Sequence, residues 1–202
     1  MPRKSNTAER RREIVAALLA VMAERGYDGA SIQAIARTAG LAPGLVHYHF
    51  ENKEAILLDL VASLAQVGRA RYEMLAASAA SPHARLQAYI DARLATGPGA
   101  DPAAVAAWVM VGAEAVRQLQ VRRAYQDALA PELAMLTELL RDCLEADGRS
   151  QARAAQLAAS LLAFIEGAFQ LSSAARELMP EAYAAQMALQ LVQRFIAAEP
   201  AA

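Results

Sequence analysis

The sequence predicts an all-α fold: an N-terminal three-helix helix-turn-helix domain followed by a larger helical domain, with about nine helices in total. Three observations carry that prediction. Hydrophobic residues make up 56% of the 202-residue chain but aromatics only 5%, and this alanine-rich balance favours closely packed helices. No run of alternating β-branched and polar residues argues for a strand. Residues 31–53, SIQAIARTAGLAPGLVHYHFENK, read as two short helices joined by a tight turn, with a third starting behind them.

Taken in order, a first helix is expected over residues 7–25, where Ile14, Leu18, Val21 and Met22 share one face. Ser31 is a good N-cap for the second, in which Ile32, Ile35, Ala36 and Ala39 recur at helical spacing. Gly40 suits the left-handed residue that ends it. Pro43 is placed to open the third, its φ already suitable and no amide wasted. On that third helix Val46 and Phe50 face inward together. At ~100° per residue, Gly44 and Tyr48 point outward, Leu45 and His47 flank them, and His49 lies nearer the packed side. Gly44 permits close approach of a nucleic-acid backbone, and Tyr48 offers a hydroxyl donor. Asn52 then caps a helix starting at Lys53, whose positive end suits a phosphate. One helix laid in a DNA groove while another holds it upright is the function this arrangement points to.

Net charge is −1, but its distribution matters more. Residues 1–12 carry Arg3, Lys4, Arg10, Arg11 and Arg12 against Glu9, a local +4 beside the proposed reading helices. No secretory signal is visible. Uncharged runs are short, 12 residues over 154–165, so no membrane span is expected. The single cysteine, Cys143, suits a small buried side chain in a reducing cytoplasm.

Residues 7 to about 58 resemble the DNA-binding domain of the TetR family of bacterial transcriptional regulators. The resemblance rests on ARTAGL at 36–41, Gly44, Tyr48, His49, Phe50, Lys53 and Glu54, with RGYDGAS at 25–31 matching the preceding loop. It implies a DNA-binding domain over 1–58 and an effector-binding and dimerisation domain over 59–202. It also implies DNA-contact roles for Ser31, Ala42, Pro43, Gly44, His47, Tyr48, His49 and Lys53. Three positions depart from the usual pattern: Ala42 replaces a capping hydroxyl residue, Pro43 has no side-chain donor, and His47 stands where tyrosine is common. By the same resemblance the chain is a cytoplasmic repressor, released from double-stranded operator DNA by a small molecule.

Further along, helices are expected over 53–79 and over 82–96, the latter capped by Ser81 with Pro82 in its first turn. A Gly-Pro loop follows at 97–102. Two helices fill 103–147, with a break near Gln120 and a bend at Pro131. Ser150 is expected to cap a helix reaching Glu177, and a last helix runs from Met179–Pro180 to Ala198. This half resembles the TetR subgroup containing the choline–betaine pathway repressor, through Ala107 and Trp108, Ala113 to Ala115, and Glu166 with Gly167; choline is not carried over from it. Trp108, Met110, Tyr125, Met135, Phe164 and Phe169 are the candidate effector-lining residues. Glu114 and Arg117 are expected to form a surface ion pair.

The last helix has an apolar arc wider than one core contact needs, which calls for two partners, the chain's own core and a second copy. Leu161, Ile165, Met187, Leu191 and Phe195 are accordingly the expected homodimer contacts. No enzyme is expected, since no G-x-S-x-G, P-loop or Cys-x-x-Cys is present. Nor is a cofactor or metal, because His47 and His49 diverge by about 200° on a helix.

Overall fold

A computed structural model of the chain describes residues 7–97 and 99–202. Arg3 and Lys4 of the basic segment, and Pro98 of the Gly-Pro loop, lie outside the described residues. These residues form nine α-helices and no strand. They fall into two compact units, one built from the chain up to Leu64 with Met110–Asp127, the other from Ala65–Val109 with Ala128–Ala202.

In the first unit, α1 (Thr7–Gly29), α2 (Ile32–Thr38) and α3 (Pro43–His49) precede the start of α4 (Lys53–Ala76). Ile14, Leu18, Val21 and Met22 are buried as their spacing predicts. The regular part of α1 stops at Gly26, whose φ of 69° a side chain would resist, and a turn carries Tyr27 inward. Ser31 Oγ accepts from the Ala34 amide at 3.1 Å, and Asn52 Oδ1 from that of Ala55 at 2.9 Å. Both capping assignments read from the sequence are therefore realised.

The second unit contains α5 (Pro82–Leu94), the start of α6 (Pro102–Arg117), most of α7 (Leu119–Ala146), α8 (Ala154–Ala174) and α9 (Tyr183–Ala198), with a short 3₁₀ turn Arg176–Leu178. Leu86, Tyr89, Leu140, Leu144, Leu157, Ile165, Val192 and Ile196 make its core. Each large aliphatic side chain so buried contributes about 1.5–3 kcal/mol. Within that core Glu132 meets Tyr89 and Arg93, and the guanidinium lies against α4 at Gly68.

Several boundaries differ from expectation. The α6–α7 break, expected near Gln120, falls at Gln118, and Pro131 lies inside α7. Ser150 does not cap α8, which starts at Ala154. Its amide donates to Pro200 O at 2.8 Å, and the Ala202 amide donates to Gly148 O at 3.0 Å. The turn at 148–150 is thus pinned to residues 200–202. Arg149 and Arg153 reinforce it through the Glu199 carbonyl and carboxylate. Among the described residues one helix, α8, is long and apolar enough to cross a membrane by length and composition. That corrects the limit inferred from uncharged runs. Leu157, Leu161, Ile165 and Phe169 nonetheless place one face of α8 in the core of the unit, as a buried helix of a globular fold requires.

Candidate nucleic-acid interface and effector site

Helix α3 is only seven residues long, too short to persist unaided. Val46 and Phe50, 0% and 3% exposed, anchor its inner side, while Tyr48 is 78% exposed. A side chain built at Gly44 would meet nothing within 4 Å. Ala42 provides no side-chain cap, leaving the first amides of α3 to other acceptors. Ser31, Ala42, Pro43, His47 and Tyr48 are all exposed, and His49 is half-buried edge-on to Tyr48, with ring centroids 5.1 Å apart. The expected DNA-contact residues on α3 and its flanks are therefore open to solvent, His49 in part. Arg37, in the last turn of α2, is exposed as well. Sequence reasoning passed over Arg37 although it is the only Lys or Arg within 31–52.

Lys53 is more constrained than expected. Its ammonium donates to Tyr27 O at 2.8 Å and sits 4.0 Å above the Tyr27 ring. Partial burial lowers its pKa, against the opposing pull of Asp28 and Glu114. Burial, with Glu54 and Asp28 adding, pushes the Tyr27 phenol up to about 12.

Glu114 corrects a second expectation. It does not serve as the surface partner of Arg117: its Oε1 accepts from the Tyr27 amide at 3.2 Å, and both its carboxylate oxygens lie beside Gly26. Gln118 reaches Asp28 in the same turn. The end of α6 is thus built into the unit that carries α3. Arg10 and Arg11, expected to supply free positive charge, are also engaged, Arg10 with Glu13 and Arg11 with Asp59 and His49 O.

Of the candidate effector residues, Trp108, Met135 and Phe164 are partly buried against the core of the second unit, and Phe169 is within it. Met110 and Tyr125 belong to the first unit, where Tyr125 packs on Gly112. The sequence reading used Glu166 for the subgroup resemblance but did not place it beside Trp108. Trp108 Nε1 donates to its two carboxylate oxygens at 3.1 and 3.2 Å. The available signal was a single charge in an otherwise uncharged 21-residue helix. Among the described residues no His, Cys, Asp and Glu side chains gather as a metal site.

Among the expected interface residues, Met187, Leu191 and Phe195 are 41%, 38% and 47% exposed. Leu161 and Ile165 are corrected: 6% and 1% exposed, they are already filled by contacts within the chain. The exposed residues of α8 up to Gln170 are instead Ala155, Ala159, Ala163 and Gly167, with the polar Gln156, Ser160 and Gln170.

Comparison with known proteins agrees with this geometry. Residues 14–60 match the model of bacterial regulatory proteins of the tetR family, and residues 82–199 match that of the BetI-type transcriptional repressor C-terminal domain. The HTH-type transcriptional regulator BetI of Rhizobium meliloti is 37% identical over 125 residues, 61% of this chain and 60% of that protein. The chain thus aligns with less than two thirds of that relative's length. A solved structure described as a transcriptional regulator of Pseudomonas aeruginosa PAO1 has the same fold, with a TM-score of 0.84 at 23% identity over 96% of this chain and 94% of that one. A Saccharomonospora viridis regulator solved with choline gives 0.68 at 25% identity over 95% and 97%.

Proposed function

The chain belongs to the TetR family of bacterial regulatory proteins and carries a BetI-type C-terminal domain, and from that premise we propose that it is a cytoplasmic homodimeric repressor of its operator. The family is one of transcriptional regulators rather than enzymes. Two α3 helices entering successive major grooves, about 34–36 Å apart, would read an imperfect palindrome. The observation that carries this reading is the bare Tyr48 face on a helix whose other side is locked by Val46 and Phe50.

Its test is fluorescence anisotropy on DNA upstream of the chain's own gene. Tyr48→Ala is expected to weaken binding by about ten- to hundredfold, the scale of a groove contact worth ~1–3 kcal/mol, and to leave the dimer intact. Binding equal to wild type would remove α3 from the interface.

For the effector we propose a small organic cation of the choline type. A quaternary ammonium donates no N–H, so aromatic faces and diffuse negative charge recognise it. Trp108 and Glu166 place those two groups side by side. Helix α6 carries Trp108 and, six residues on, Glu114, which holds the Tyr27 turn. Ligand that prefers one setting of α6 would therefore bias the platform of α3. A hundredfold preference corresponds to roughly 2.7 kcal/mol.

Choline titrated into the operator complex should release wild type. Glu166→Gln should fail to bind choline by calorimetry, whereas Glu114→Ala should bind it but respond weakly on DNA. Absence of choline binding to wild type would remove the cation while leaving the DNA reading untouched.

A further inference from the structure

Resting on the DNA-binding reading above, we infer that Arg11 is a positioning residue, setting the orientation of α3, rather than one of the bases that hold phosphate. Its guanidinium stands where three helices meet. Nε and Nη2 donate to Asp59 Oδ2 of α4 at 3.2 and 2.9 Å, and Nη1 donates to His49 O, the last residue of α3, at 2.7 Å. The plane of the group lies 4.0 Å from the Phe50 ring.

A seven-residue helix leaves its final carbonyls without internal partners. Here one of them takes a charge-assisted hydrogen bond from a cation at the negative end of the helix dipole. Phe50 alone would fix how deep α3 sits. Arg11 adds what burial cannot, a directional contact that fixes rotation and tilt, with Asp59 holding the cation from the far side. Three of the five N–H donors of the guanidinium, and the side of it that faces the Phe50 ring, are taken up in this way. A phosphate could take only the remaining Nη hydrogens, without the paired Nε–Nη2 edge that Asp59 holds. Lysine cannot replace it, having neither the planar fork nor the stacking face.

The experiment uses the full chain, a duplex enriched by the wild-type protein from a random-sequence pool, and a mixed-sequence duplex as the non-specific probe. Affinities are measured against salt concentration. Arg11→Gln and Arg11→Lys are both expected to lose about ten- to hundredfold on the enriched duplex. Their affinity for the mixed duplex and their salt slopes should stay those of wild type. Asp59→Asn should lose less, because His49 O still holds the guanidinium, and it keeps the test open if an Arg11 variant fails to fold. The inference is overturned if Arg11→Lys binds like wild type, or if Arg11→Gln lowers both affinities together and reduces the salt slope by about one, the mark of a phosphate contact. Failure of wild type to enrich any duplex would sink the function itself, a distinct outcome.

Discussion

Replacing Leu191 and Phe195 together by glutamate is expected to split the dimer and to weaken operator binding by roughly 10²–10⁴-fold, the gain normally supplied by linking two sites. The cause lies in two adjacent rows on α9. Ala188, Val192 and Ile196, four apart and nearly fully buried, face the core of the chain. Met187, Leu191 and Phe195, each one position earlier, form a second apolar row that the chain itself leaves 38–47% exposed. On α8, the exposed Ala155, Ala159, Ala163 and Gly167 are small enough to let another helix approach closely. Glutamates in the row remain hydrated in a single copy, but two twofold-related sets would have to be desolvated in a pair. Light scattering should therefore report a monomer with an unchanged helical circular-dichroism spectrum. A dimer surviving both charges would move the interface off α9.

That interface also shows how far the sequence could be read. Local features were legible because the chain states both partners within a few residues: Ser31 with Ala34, Asn52 with Ala55, and Ser81 with Ala84. Periodicity was equally reliable for Val46 against Tyr48, since it fixes the angle around a helix. It cannot say which neighbour covers a given side. Leu161 and Ile165 therefore read as interface when the core had already taken them.

The same limit hid the contacts that matter most for function. Glu114 finds Tyr27 across 87 positions and Arg11 finds Asp59 across 48, and neither distance leaves a mark on local pattern. Ser150 misled for a local reason: its Oγ does accept a nearby amide, that of Ala152 at 3.4 Å, but it does so in the turn before α8, which starts only at Ala154.

A second large effect is expected from Glu132→Ala, this time on folding. Glu132 is 7% exposed and accepts from the Arg93 Nε at 2.9 Å, while the Tyr89 hydroxyl donates to the same oxygen. Burial, with the Glu132 charge added, holds the Tyr89 phenol well above its ordinary range. The pair ties α5 to α7, and α4 is fitted over it, since a Cβ at Gly68 would collide with the guanidinium. Arg71 secures the same three-helix joint by donating to Ala92 O and Ala95 O at 3.1 and 2.8 Å. Removing the carboxylate leaves a desolvated guanidinium and a phenol without their acceptor, a loss of about 3–5 kcal/mol. At roughly 2–4 °C per kcal/mol for a chain of this size, the melting temperature should fall by an amount plain in calorimetry. Gly68→Ala should act in the same direction by driving Arg93 off its partner. Replacing Arg93 and Glu132 together by methionine is expected to restore part of the loss, because neither desolvated charge then remains although the Tyr89 hydroxyl still lacks its acceptor. If the single and double variants melt alike, the unpaired guanidinium is not the source of the cost, and the ion pair is not what joins α5 to α7.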